Sequence, residues 1–314
     1  MQDAPSRLQV RLAADAASVP AARRFVADGL TAWGEAKLVD VAELVASELS
    51  SNAALHAMAE FMHVTVERPA HPATGVRVAV EDDGPVGVEA VLARTPAGED
   101  PAWAELDATG RGLAIVATLA GRWGVDETTR GKRVWAELTE PEPTHDAFDP
   151  ERAETRAGPE DGELPPGWAL VRLVRCPVAL SLQQDRHLDE LVRELQLLGV
   201  DEDNSESAAI AAEIQGLLVS PTHARLTGRR AAERARDEHR EHVDVEMAMP
   251  REFGALVEQL QVAVARADRL CEEGRLLTLS SPPELRALRA WMTHEVLAQT
   301  GGAAPTSWPD WLAG

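Results

Sequence analysis

The sequence predicts an α+β protein in two parts: an N-terminal two-layer α/β sandwich, then a mostly α-helical C-terminal domain. Three observations carry this. Helical and alternating segments interleave up to about residue 139, the mark of helices packed on one sheet. An acidic, Pro-rich stretch without apolar periodicity follows, from Glu140 to Pro166. Beyond it the apolar spacing is almost wholly helical. The 314 residues suit two domains, so the division reads 1–139, a linker at 140–166, and 167–314.

The elements follow in order. Residues 7–12 (Arg-Leu-Gln-Val-Arg-Leu) alternate as a strand does. A helix begins at Ser18 with Pro20 in its first turn and runs to Trp33, where Gly34 ends it. Lys37–Ala59 is a long second helix. Phe61–Glu67 and Val76–Asp82 alternate and are joined by a Pro/Gly turn. A polar stretch from Gly84 to Thr109 precedes a helix at Gly110–Ala120. Trp123–Asp126 and Arg133–Leu138 read as the last strands of this half. In the second half the expected helices are Val178–Leu198, Ser205–Leu218, Thr222–His242, Glu252–Glu273 and Pro283–Gln299, with short strand candidates at Val171–Val174 and Val243–Met247.

Composition narrows the function classes. The net charge is −21, which repels phosphate backbones and anionic lipid surfaces. Nucleic acid and membranes are therefore not the expected partners. Cys176 and Cys271 are too few and too far apart for a disulfide framework or a zinc site. The N-terminus Met-Gln-Asp-Ala-Pro-Ser has no apolar signal-peptide core, and no stretch approaches a transmembrane span, so a cytoplasmic location is expected.

Chemistry concentrates in three stretches. In Leu44–Ala57, Glu48, Asn52 and His56 stand at i, i+4, i+8, on one helical face. One turn earlier the stripe reads Val41, Leu44, Val45, so an apolar face gives way to a carboxylate, an amide and an imidazole. Buried, such groups require partners; exposed, they are an ordinary solvated face. In Val78–Gly87 a strand ends at Asp82, and the chain turns at Gly84. A strand-end carboxylate beside a glycine can read an amino group on a flat ligand, although Asp-Gly is also a plain turn pair. In Thr109–Val116, Gly110 and Gly112 flank Arg111 at a helix start, where backbone N–H groups favour an anion. A Gly-x-Gly pair alone decides nothing.

Together, in this order, Glu48-x-x-x-Asn52, Asp82-x-Gly84 and Gly110-x-Gly112 resemble the N, G1 and G2 boxes of the GHKL superfamily of ATPases, with the Bergerat ATP-binding fold. The likeness is nearest to its anti-sigma-factor serine kinase branch, where the helix reads Glu-x-x-x-Asn-Ala-x-x-His. Ala120–Val125 and Gly131–Leu138 look like actinobacterial members. The resemblance covers residues 7 to about 139.

It implies ATP and Mg²⁺ as cofactors. Asn52 would give its amide oxygen to Mg²⁺, and Glu48 would be the catalytic base for a Ser or Thr hydroxyl. Asp82 would bond the adenine amino group and Gly84 give the ring room. Gly110, Arg111, Gly112 and Leu113 would line the phosphates, and residues 85–109 would form a lid. The implied partners are an antagonist protein, a sigma factor, or both; a homodimer stays open.

Two positions depart from the pattern. Val86 stands where a further glycine is expected, between Pro85 and Gly87. Gly131-Lys132 replaces a Gly-Thr in the last strand, so a threonine that helps hold adenine is absent. Gly131-Lys132 is not a P-loop either.

Elsewhere, His239-Arg-Glu-His242 is not a His-Glu-x-x-His motif and reads as a charged helix face. Trp291, Trp308 and Trp311 read as packing, and Ser281, ahead of two prolines, as a helix cap. Two functions compete: an ATP-dependent protein kinase of the anti-sigma type, and a non-catalytic ATP-sensing module whose helical half binds a protein. Glu48 favours the first; the lost threonine and the large second domain favour the second.

Overall fold

A computed structural model describes residues 5–68, 75–85, 91, 111–139, 162–198, 209–210, 212–214, 216–217 and 221–313. It divides into two compact units, Met1–Pro166 and Gly167–Gly314. Most of the expected lid, and residues 140–161 of the expected linker, lie outside the described residues.

The first unit is an antiparallel five-stranded sheet with helices on one face. Its strands are β1 (Arg7–Ala13), β2 (Phe61–Glu67), β3 (Val76–Asp82), β4 (Arg122–Glu127) and β5 (Lys132–Leu138), in the spatial order β1-β2-β3-β5-β4. The helices are α1 (Val19–Trp33), α2 (Val39–His56) and α3 (Arg111–Leu119). Short 3-10 turns at Ala16–Ser18 and Ala36–Leu38 lead into α1 and α2.

Strand alternation sorts the residues to two faces. Leu8, Val10, Val64, Val66, Val78, Val80, Val134 and Ala136 are buried, and their registers stack them beneath the helices. Phe25, Leu30, Val45, Leu49 and Val116 close this core from the helical side. Burying each large apolar side chain is worth about 1.5–3 kcal/mol. The opposite face carries cross-strand ion pairs: Arg77 bridges Glu67 and Glu137, and Arg133 meets Glu81 at 2.8 Å. β1 is an edge strand, and Glu163 lies beside it: the Gln9 amide donates to the Glu163 carbonyl at 2.9 Å.

Two expectations about α2 are corrected. The helix ends at His56 rather than Ala59, because Met58 adopts the left-handed conformation (φ 52°), which terminates a helix without a glycine to announce it. The buried face is also not the stripe through Leu44, which is 43% exposed. Small residues carry that face: Ala42, Ala46, Ser50 and Ala53 are buried alongside Val45 and Leu49. Glu48, Asn52 and His56 run along its half-buried margin.

The second unit packs helices around a two-stranded antiparallel ribbon. Its elements are β6 (Trp168–Pro177), α4 (Val178–Leu198), α5 (Thr222–Asp237), β7 (His242–Pro250), α6 (Phe253–Glu272), α7 (Pro283–Thr300) and α8 (Trp308–Ala313). The helix expected at Thr222–His242 stops at Asp237. His239 is left-handed (φ 59°), and the Arg240 amide returns to the Ala235 carbonyl at 2.8 Å, closing the last turn as a C′ glycine would. His242 then belongs to β7. One core gathers Val171, Leu173, Val245, Met249 and Leu288 with Trp291 and Trp308, whose rings stand 5.5 Å apart. A second joins Leu191, Leu195, Ile214, Val264 and Leu270. Among the described residues no helix is long and apolar enough to cross a membrane.

Candidate functional site

Three backbone segments meet at the C-terminal half of α2. The first is α2 itself, which sets Glu48 and Asn52 one turn apart. The second is the N-terminus of α3. A β-carbon on Gly112 would stand 2.6 Å from Oε2 of Glu48 and 3.6 Å from both polar atoms of the Asn52 amide. Glycine here lets the start of α3, with its unsatisfied N–H groups, come against both side chains. Leu113 and Val116 are buried and hold that helix down. The third is the β3 end, where a β-carbon on Gly84 would meet the Ala57 carbonyl oxygen at 1.9 Å. The neighbour that demands glycine at 84 is thus the end of α2.

Of the residues singled out in the sequence, Glu48, Asn52 and Gly112 come together, with Arg111 and Leu113 on either side of Gly112 at the start of α3. Asp82 and Gly84 lie at the adjoining sheet end. Gly110 lies outside the described residues, and the Arg111 side chain is likewise not described.

The acidic run at the end of β3 splits into three tasks, because alternation sends its members in different directions. Glu81 faces the charged side of the sheet. Burial raises its carboxyl, but Arg133, Thr128 and Arg130 outweigh this and hold it below the usual range. Asp83 accepts from the Glu60 and Phe61 amides at 2.9 and 3.1 Å, bracing the turn into β2. Asp82 faces the helix layer and is 2% exposed. Its Oδ1 accepts from the Gly84 amide at 3.1 Å and from Lys132 Nζ at 2.8 Å. Burial pushes its carboxyl up, and Lys132 and the Gly84 amide only partly offset this.

Lys132 is the residue that sequence reasoning placed only by what it replaces. No local pattern signals it: Asp82 and Lys132 meet because they are direct cross-strand partners in the β3–β5 register. Gly131 fixes them, since a β-carbon there would stand 2.3 Å from the Asp82 carbonyl oxygen.

The Asn52 amide nitrogen is buried and has no hydrogen-bond partner among the described residues. Satisfying such a group is worth about 1–3 kcal/mol. With the glycine-lined gap beside it, this fits a polar ligand seated between α2 and the start of α3. Residues 12–138, about two-fifths of the chain, match the family of histidine kinase-like ATPase domains. The first unit carries a GHKL-type ATPase domain. No curated protein and no solved structure matches the chain. In this ATPase domain the α2 pair and Gly112 fall inside the matched region, as do Asp82, Gly84 and Lys132.

The second unit, outside the match, holds a buried polar cluster. Ser281 Oγ donates to Asp268 Oδ1 at 2.8 Å and meets His187 Nε2 at 2.9 Å, while Arg289 binds Ser281 Oγ at 2.8 Å and Asp268 Oδ2 at 2.7 Å. A serine, a histidine and an aspartate together suggest nucleophilic chemistry, but the arrangement differs from a relay. The same histidine nitrogen, Nε2, faces both Ser281 and Asp268, whereas a relay places the carboxylate on the nitrogen opposite the serine. Ser281 is only 2% exposed. The cluster ties α4, α6 and α7 together. It also corrects the expected role of Ser281, which does not cap α7; Pro282 occupies that position with no side-chain cap bond. His239 and His242 end up on a turn and a strand, and among the described residues no group of three or more His, Cys, Asp or Glu could hold a metal.

Proposed function

We propose that the protein is an ATP-dependent serine/threonine protein kinase of the anti-sigma-factor type, acting on an antagonist protein in bacterial transcription regulation and able to bind a sigma factor. The observation that carries the reading is the convergence of Gly112 on Glu48 and Asn52 within an ATPase domain. Bound ATP and Mg²⁺ would supply the transferable phosphoryl group and neutralise its charge.

The chain's own residues would do the rest. Asn52 would offer its amide oxygen to the cation, a hard ion that takes oxygen ligands. The first N–H groups of α3, at Arg111–Leu113, would receive phosphate oxygens. Glu48 would accept the proton of the attacking hydroxyl, and its place one turn from Asn52 puts base and cation ligand on one face. Asp82 would accept from the adenine 6-amino group. Location in the cytoplasm, with a protein partner and without nucleic acid or membrane, belongs to the same reading.

Calorimetry with Mg²⁺-ATP on wild type and Asn52→Ala tests the binding half. Wild type should bind and the variant should lose at least about tenfold, the worth of one charge-assisted contact. Equal affinity would overturn the metal role of Asn52. Radiolabelled ATP with candidate antagonist proteins from the same genome tests transfer.

A second reading is a non-catalytic ATP-sensing module whose helical unit engages a protein. The size and separate cores of Gly167–Gly314 favour it. Binding of ATP without transfer to any protein would select it.

A further inference from the structure

Asp82 and Lys132 form an ion pair at the end of the sheet, on the face that meets the helices. Their side chains are 3% and 6% exposed, and Nζ lies 2.8 Å from Oδ1. The backbone leaves Lys132 little choice of place, because it pairs directly with Asp82 across the strands and Gly131 is pressed on the Asp82 carbonyl. The residue type is also selective. Lys132 is one of only two lysines among 31 basic residues. A lysine is a compact charge with three donors, whereas arginine presents a broad planar fork.

The hydrogen bonds within this pair leave two groups over. Among the described residues, both hydrogen bonds to the Asp82 side chain, from Lys132 and from the Gly84 amide, fall on Oδ1. Oδ2 is outside them, and an ammonium that spends one proton on Oδ1 keeps two more. The pair therefore offers an acceptor and a donor side by side. The adenine edge presents the complement on adjacent positions, a 6-amino donor and the N1 acceptor. A lone carboxylate could engage only the amino group.

We propose that Lys132 is a second base-reading residue, donating to N1 of adenine while Asp82 accepts from the 6-amino group. This rests on the reading of the first unit as a nucleotide site. It assigns to the lysine a positive part in recognition, rather than only the loss of a threonine. It also explains why a buried ammonium is kept beside a buried carboxylate, since such a pair contributes little net stability on its own.

The test uses the full chain with Mg²⁺ and three triphosphates: ATP, 1-deaza-ATP, which has C–H in place of N1, and purine riboside triphosphate, which lacks the 6-amino group. Wild type should bind each analogue at least about tenfold more weakly than ATP, since each leaves one buried charged partner unmatched. Lys132→Met, which keeps the apolar stem, should bind ATP and 1-deaza-ATP alike while still discriminating against the purine analogue.

Equal affinity of wild type for ATP and 1-deaza-ATP would overturn the proposal without any variant being needed. So would Lys132→Met binding ATP more tightly than wild type, the result if the lysine merely masks Asp82. Failure of wild type to bind any of the three would overturn the nucleotide reading itself, which separates the two failures.

Discussion

A β-carbon on residue 112 would stand 2.6 Å from Oε2 of Glu48, so the glycine and the carboxylate occupy one shared space. The crowded atom is the tip of a flexible side chain, not backbone. Gly112→Ala should therefore fold, with a thermal midpoint equal to or above wild type, since alanine favours a helix by up to about 1 kcal/mol. Its cost should fall on Glu48, which must swing away. Phosphoryl transfer should drop at least about tenfold, a fraction of what general-base assistance contributes. A melt and a turnover assay on the same variant check this; unchanged turnover would show that the position of Glu48 does not matter.

Glu48→Gln isolates the proton-accepting role. The amide keeps the size of the side chain but takes no proton. Nucleotide affinity should stay near wild type while transfer falls at least about a hundredfold, the low end for a general base. If affinity falls as well, Glu48 helps hold the cation. If neither changes, it is a surface carboxylate.

His63, in the middle of β2, makes the first unit acid-sensitive. Burial, then the charges of Arg130 and Arg11, push its imidazole down to about 4. The unfolded chain takes up the proton near 6.5 and the folded one does not, so stability falls as pH drops from about 6.5 to about 4 and the loss is complete below that. At about 1.4 kcal/mol per unit the full loss is roughly 3 kcal/mol, and solvent screening at this partly exposed site reduces it to the order of 1–2. Urea unfolding at pH 7 and pH 4.5 should show the loss in wild type and a smaller one in His63→Gln. Equal losses would remove His63 as the cause.

Asp268 anchors the second unit. Burial raises its carboxyl, but hydrogen bonds from His187 and Ser281 and the charge of Arg289 outweigh burial and hold it far below the usual range. The stability it supplies is fully present above the ordinary carboxylate pKa and is lost progressively as pH falls from there through its own, strongly lowered value. Asp268→Ala leaves the buried Arg289 guanidinium without its counter-charge, at a cost of about 3–5 kcal/mol. Calorimetric scans should show the transition of the second unit lowered and that of the first unmoved. A shift in both would mean the units unfold together.

The first unit was legible because its key residues sit where backbone geometry and chemistry coincide. Gly112 and Asp82 are marked in the sequence by helix and strand ends, and Glu48 and Asn52 by their spacing. The Lys132–Asp82 contact was not legible, since it depends on the register between two strands 50 residues apart. The buried face of α2 was misread because alanines, not leucines, carry it. In the second unit the strands are longer than the apolar runs suggest: Arg172 and Glu246 pair across the ribbon at 2.9 Å, so charge conceals the alternation. Helix ends at Met58 and His239 were hidden for a related reason. Residues other than glycine take positive φ there.

The contact of Glu163 with β1 bears on how the ATPase domain can be isolated. An unpaired edge strand is a template on which another chain can add itself, and proteins commonly blunt such edges. Here the segment entering the second unit does so, with Glu163 bridging to Leu8 in parallel. A chain shortened at Thr139, where the fifth strand ends, would bare that edge. It should self-associate with rising concentration in sedimentation velocity. A chain ending at Pro166 should stay monodisperse under the same conditions, and identical behaviour of the two would show that the edge needs no guard.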